Sequence, residues 1–258
     1  MTTPPKRPRT NPHSKSQPPA TTGAEPRDDA PATPFPIVGI GMSAGGLEVA
    51  TEFLNAMPPD SGMGFVLVQH LDPTHPSILA EILQRSTAMP VVEAADGMAV
   101  LPNRVHVIPP NRDMLITHGV LGLSLPSEPR GRHLPIDSFF RALAADRAEA
   151  AVGIILSGTG TDGTLGIRAI HGAGGLGLVQ EPSTARFDGM PSSALRSGFA
   201  TQALAVEAMP ALLQALLMMA WVSWRGLLTE VWKTNFSFVP PLARMPSLPR
   251  SQAAASRF

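Results

Sequence analysis

The stretch Gly41-Met-Ser-Ala-Gly45 matches Gly-x-Ser-x-Gly, the pattern of a serine set on a sharp turn between a strand and a helix. The context fits: the apolar run Pro36-Ile-Val-Gly-Ile40 precedes it, and Leu47–Met57 follows with helical spacing. In such a turn the Ser43 hydroxyl projects above the sheet as a nucleophile. Backbone N–H groups at the start of the following helix, Ala44's among them, then face a developing oxyanion, where the helix dipole also favours negative charge. A second pattern fits the same residues. Gly39-x-Gly41-x-x-Ala44 satisfies the dinucleotide-binding fingerprint, which wants an acidic residue about twenty positions on, at the end of the second strand. Asp60 lies at that distance but ahead of the second strand. On local pattern alone, nucleophile and nucleotide site are equally supported.

His70 separates them. It follows the strand-like run Gly64-Phe-Val-Leu-Val68 and Gln69, so it sits at the tip of a strand next to the first. From there an imidazole can reach a serine on the neighbouring strand end, as general base and then as acid to a leaving alcohol. A dinucleotide site has no need of it. His13 lies in a polar arm, His106 and His118 in or beside hairpin strands, and His133 ahead of a helix; His75 is the next choice. The third member is sought in Leu156-Ser-Gly-Thr-Gly-Thr-Asp162-Gly163, after another buried strand. The Asp162 carboxylate suits the far nitrogen of the His70 ring, fixing its tautomer and stabilising the imidazolium. The bland alternative is an N-cap for the helix that begins near Leu165, a role in which asparagine would serve as well. Ser157 and Thr159 are rival nucleophiles in the same loop, without a histidine placed beside them.

Three loops of this kind need a parallel sheet to carry them. Apolar strands are expected at Pro36–Ile40, Gly64–Val68, Ala151–Leu156 and Leu176–Gln180. They alternate with helices at Leu47–Met57, Pro76–Arg85, Ser138–Ala145 with Asp137 as N-cap, Leu165–His171 and Ala208–Met219. Val105–Ile108, Met114–Thr117 and the stretch up to Leu125 read as short strands and a small β-hairpin. Continuous apolar strands alternating with helices imply an α/β fold, doubly wound, with a mostly parallel sheet covered on both faces, as a single domain over 36–218. In open sheets of this type ligands bind at the carboxyl ends of the strands, where all three loops emerge. Residues 1–35 are rich in Pro, Thr, Ser, Lys and Arg and are expected to be a disordered arm. The tail 219–258 holds all three tryptophans and then a Pro/Ser/Arg stretch, and its role is open.

Composition narrows the classes. Among 258 residues, 20 Lys and Arg balance 20 Asp and Glu, which gives no electrostatic reason to expect nucleic acid or an anionic membrane as partner. The absence of cysteine removes disulfides, thiolate catalysis and cysteine metal sites, and suits a reducing cytoplasm. No apolar signal stretch opens the chain, and the most apolar run, Ala211–Val222, is too short to span a bilayer, so a cytoplasmic chain is expected.

The order Ser, His, Asp, with these flanking sequences, resembles the catalytic domain of the chemotaxis protein-glutamate methylesterase (CheB-type) family. The resemblance is carried by Ile40-Gly-Met-Ser-Ala-Gly-Gly46, Val68-Gln-His70, Ala94-Ala-Asp-Gly97, Ile108-Pro-Pro-Asn-Arg-Asp113, Pro135-Ile-Asp137, Leu156–Gly163 and Phe187-Asp-Gly-Met-Pro191. It implies a triad of Ser43, His70 and Asp162 and hydrolysis of glutamate γ-methyl esters on chemoreceptors, with no metal or organic cofactor. It further implies that Thr159 lies beside the triad, and Arg112 and the Phe187–Pro191 turn, with Met190, near the substrate cleft. Phrases such as Val68-Gln-His-Leu-Asp-Pro73 are similar to the methylesterase module of fused methylesterase–methyltransferase sensor proteins. The arm 1–35 is too short for a phosphoacceptor receiver domain, from which constitutive activity is expected. The alternative class is a non-catalytic module of the same fold that binds a receptor or partner.

Overall fold

Runs such as Ile37-Val-Gly-Ile-Gly-Met42 and Ala151-Val-Gly-Ile-Ile155 carry no polar side chain on either face, so as strands they need cover on both sides. The computed structural model describes residues 35–69, 78–126 and 133–218. Nearly all of the arm read over 1–35, the tail read over 219–258, and His70, Asp72 and His75 lie outside the described residues. Along the chain come β1 (Ile37–Met42), α1 (Gly46–Ala56), β2 (Gly64–Gln69), α2 (Leu79–Gln84), β3 (Val91–Glu93), β4 (Met98–Ala99) and β5 (Arg104–Val107). There follow β6 (Asp113–Thr117), β7 (Val120–Ser124), α3 (Pro135–Arg147), β8 (Ala151–Ile155), α4 (Thr164–Gly172), β9 (Leu176–Gln180), α5 (Gly189–Arg196) and β10 (Gln202–Leu204). A last helical stretch covers 209–218.

Seven strands form one sheet in the order β10-β9-β8-β1-β2-β5-β3, every pair parallel; β4, β7 and β6 make a small antiparallel sheet beside it. The chain runs from β1 to β2, on to β3 at the edge and back to β5 between them, then returns to β8 on the other flank of β1. This is the doubly wound arrangement, and its switch point lies between β1 and β8. Side chains alternate accordingly. Val38, Ile40 and Met42 join Phe53, Leu54, Met209 and Leu213 on one face, while Ile37, Val66 and Val68 join Phe139, Phe140, Ile167 and Ile170 on the other.

The Gly39/Gly41 pair of the dinucleotide-like pattern has a packing reason. A Cβ at Gly39 would stand 2.9 Å from Phe140 Cε1, and one at Gly41 would collide with Ile136, so these glycines let α3 lie against β1. Asp60 is exposed in the turn that enters β2, at the opposite end of the sheet from the loop after β1. The acid that the fingerprint requires is therefore not at the ligand edge.

Two helices differ from their reading. α3 starts at Pro135 rather than Ser138, with Leu134 at the N-cap position, so Asp137 lies inside the first turn and does not cap its own helix. Proline suits that start because a first-turn residue has no intrahelical donor to lose. α5 occupies part of the stretch read as a turn: Pro191 is its third residue, again where no N–H is needed.

His106 on β5 is fully buried, its Nδ1 3.2 Å from Phe65 O. Burial holds the imidazole below its ordinary value, against the pull of the Phe65 carbonyl, with Arg104 adding to the lowering. The unfolded chain then takes up a proton near pH ~6.5 that the folded chain refuses. Stability is therefore expected to be full above that pH and to fall below it, at a slope of up to about 1.4 kcal/mol per pH unit. Urea unfolding at pH 7.5 and 5.5 checks this: His106→Leu should flatten the difference, and an unchanged slope would assign it to other groups.

Candidate active site

The first loop is held by its backbone. Beyond the end of the β1–β8 pairing, Leu156 N donates to Gly41 O at 2.9 Å and Ser43 N to Ser157 O at 3.0 Å. Gly46 N closes the turn on Ser43 O at 3.0 Å, and the left-handed residue is Gly45, at φ 68°, in the N-cap position of α1. Ser43 is not among the described residues with positive φ. The sharp turn therefore puts no left-handed residue at the serine, because the following glycine makes it. Ser43 and Ala44 are both partly exposed at the carboxyl end of β1.

The third loop lies against the first. A Cβ on Gly158 would stand 3.0 Å from Ser43 Cβ and would collide with Met190 Sδ. Thr159, Gly160 and Thr161 are exposed at the rim. Ser157 is fully buried, and its hydroxyl donates to Ala44 O at 2.9 Å while accepting from Phe187 N at 3.1 Å. That engagement removes it as a rival nucleophile and makes it a stitch between three loops. Its N–H donates to Oε1 of buried Gln180, 2.9 Å away at the end of β9. Gln180 was not singled out from sequence; the available signal was a glutamine closing an otherwise apolar strand.

Asp162 is 2% exposed, and both of its oxygens are engaged. Oδ2 accepts from Ile136 N at 3.0 Å, and Oδ1 accepts from Asp137 N at 2.9 Å and Gly163 N at 2.8 Å. It is a cap, but of α3; the N-cap of α4 is Gly163, at φ 87°, with no side-chain bond. The cap of α4 comes from the other side, where Asp137 Oδ1 accepts from Gly166 N at 2.7 Å. Two buried carboxylates thus exchange helices. Burial, and after it the neighbouring Asp162 charge, hold the Asp137 carboxyl above its ordinary range, against the Gly166 hydrogen bond that pulls it down.

The outlying residues take their places at the same edge. Gly158 N donates to Phe187 O at 2.9 Å, and Met190 N to Gly158 O at 2.9 Å, so the 187–190 segment backs the third loop. Met190 itself has no exposed surface; it supports Gly158 from beneath, whereas Phe187 is 37% exposed with the Arg186 guanidinium 5.7 Å from its ring centroid. Arg112 is exposed in the loop after β5, two strands from β1, and donates from Nη1 to Asn111 O at 3.3 Å. Ser43, Ala44, Thr159, Asp162 and Arg112 therefore stand on loops at one sheet edge, with the first four flanking the switch point, while His70 is outside the described residues.

Comparison with known proteins gives the family and the fold. A protein from Anaeromyxobacter dehalogenans, named protein-glutamate methylesterase/protein-glutamine glutaminase 5, is 37% identical over 194 residues, which is 72% of this chain and 53% of that protein. An uncharacterized 104.1 kDa protein of Rhodobacter capsulatus is 46% identical over 129 residues, 50% of this chain and 13% of its own length. This chain thus spans about half, or much less, of the relatives that it matches. The crystal structure of the Thermotoga maritima CheB methylesterase catalytic domain superposes with a TM-score of 0.66 at 28% identity, covering 71% of this chain and all of that one. The family model described as CheB methylesterase matches residues 38–213, from β1 to the closing helical stretch and so across every loop of the site, and the chain belongs to the CheB methylesterase family.

Proposed function

We propose that this chain is a protein-glutamate methylesterase, hydrolysing glutamate γ-methyl esters on a chemoreceptor or related sensory protein, with Ser43, His70 and Asp162 as its triad. The observation that carries the reading is the apposition of the Ser43 turn and the Asp162 loop across the β1/β8 switch point in a member of this family. His70 takes the Ser43 proton as Oγ attacks the ester carbonyl. Backbone N–H groups at Ala44, and from the loop carrying Thr159, hold the oxyanion. The tetrahedral species collapses, breaking the C–OCH₃ bond, and methanol leaves with the proton from His70. Water, deprotonated by His70, attacks the acyl-serine; Ser43 departs with that proton and the glutamate carboxylate is released. Asp162, through Oδ2, orients the imidazole and stabilises its charged form. No step needs a metal or cofactor.

Arg112 and Phe187 would line the approach of the receptor helix, and restoring a carboxylate on that helix shifts its signalling bias. Among the described residues no helix is long and apolar enough to cross a membrane, and we place the reaction in the cytoplasm. Deamidation of glutamine, named for the Anaeromyxobacter relative, uses the same steps but expels a poorer leaving group than methanol.

The test is methanol release from methylated receptor membranes by the purified chain, with a fluorophosphonate probe in parallel. Release together with labelling at Ser43 is expected. A folded chain that neither releases methanol nor reacts with the probe is a binding module of the same fold.

A further inference from the structure

The exchange of carboxylates between α3 and α4 gives Asp137 a part that neither the family resemblance nor the triad reading assigns. Its backbone N–H holds Asp162 Oδ1 at 2.9 Å, while its side chain holds Gly166 N at 2.7 Å in the first turn of α4. Asp162 is the residue before the cap of α4, so the same helix start that Asp137 grips also fixes where the Asp162 loop ends. The two helices pack along each other, and the junction is dry: Asp137 is 1% exposed and Asp162 2%. We propose that Asp137 is a positioning residue for Asp162, setting the orientation of that carboxylate towards its histidine through the capped start of α4. The proposal rests on Asp162 being the triad acid.

The surroundings of Asp137 leave this grip to few groups. β1, β2 and β8, the strands beneath α3, carry no ionisable side chain between their ends. Asp113, at the start of β6, is engaged by His133, and Glu149 lies beyond the far end of α3. Among nearby charges, Asp162 and Arg141 act on Asp137, and Arg141 Nε donates to the Asp137 carbonyl at 3.2 Å. Beside its backbone N–H on Asp162 Oδ1, the bond from the first turn of α4 is thus the means by which the Asp137 side chain acts on the loop.

Two variants test it. Asp137→Ala removes the bond to Gly166, so α4 can start elsewhere and Asp162 loses its fixed direction. The expected result is a fall in kcat of about tenfold with KM unchanged, as when an interaction needed only in the transition state is lost. Asp137→Asn keeps an oxygen for Gly166 N, so the first turn of α4 stays capped. It is expected to restore kcat to within about threefold, because asparagine caps as well as aspartate. Both are assayed by methanol release well below their unfolding temperatures. Parental kcat in Asp137→Ala would overturn the inference, as would an Asp137→Asn protein, folded, that loses as much as Asp137→Ala. Asp162→Asn, run alongside, separates the two levels: if it is inactive while Asp137→Ala is fully active, the triad stands and this inference falls. If Asp162→Asn is itself fully active, the triad reading falls first.

Discussion

Asp162→Asn is expected to lower kcat by roughly 10⁴, the loss that follows when a triad histidine is left in the wrong tautomer. The amide nitrogen cannot accept from the imidazole, so whichever way the side chain turns, one of the carboxylate's tasks goes unfilled. The structure adds a second consequence that capping rules alone miss. Because Oδ1 and Oδ2 both accept backbone N–H groups, an amide can serve one side only and sets its own NH₂ against a buried donor on the other. Asparagine is therefore not the neutral cap that the sequence suggested, and a stability loss of about 1–3 kcal/mol should accompany the loss of rate. Rate and unfolding are to be measured on the same preparation, with kcat taken below the unfolding transition. Loss of stability with kcat intact would leave Asp162 as a cap and nothing more. Asp72→Asn is the control, since Asp72 is the other carboxylate close to His70 in sequence, and it should retain most activity.

Gly163→Ala is expected to be the most destabilising single methyl group in the site. Gly163 sits at φ 87°, which costs a non-glycine residue about 1–2 kcal/mol. Its Cβ would also collide with Ile155 and stand 3.0 Å from Ile136 Cγ2, in the buried seam between β8 and α3. Overpacking of that kind adds about 1–3 kcal/mol, so the sum should lower Tm by roughly 5–15 °C in a domain of this size. Gly160→Ala isolates the backbone part. Its φ is 83°, nearly the same, but it is exposed and its Cβ would meet nothing within 4 Å, so only the backbone cost of about 1–2 kcal/mol remains. Thermal unfolding of both decides: equal losses would mean that the seam yields and that Ile155 and Ile136 do not fix the loop.

The long elements were legible in the sequence because each is a single unbroken pattern. β1, β2, β8 and β9 are apolar on both faces, and α1 and α4 keep one face apolar throughout, so periodicity and composition agree. β3, β4 and β10 hold two or three residues each, too few for any period to be seen. α5 was hidden by Gly189, Pro191 and two serines, residues that mark a turn unless they fall in a first helical turn, where proline costs nothing.

At the site, the loops proposed to bear the chemistry were readable because glycines and a lone carboxylate stand after apolar strands. Which helix Asp162 caps was not readable, since its donors come from residues 136 and 137, more than twenty positions earlier in the chain. The roles of Ser157 and Gln180 were hidden for the same reason: Ser157 meets residues 44 and 187, and Gln180 meets Ser157, only through the order of the strands. A local pattern shows what a residue is able to do. Contacts between distant segments decide which of those things it does.

The double employment proposed for Asp162 has a bearing on how this family would lose activity. A descendant released from the need to hydrolyse esters would still be selected to keep the carboxylate, since α3 cannot start cleanly without it. The turn around Ser43, by contrast, is built from that residue's backbone N–H and carbonyl, which any small side chain leaves in place. Decay should therefore strike the serine first and spare the aspartate. In a survey of relatives, a retained aspartate reports on the architecture, and the residue at the position of Ser43 reports on whether there is still an enzyme.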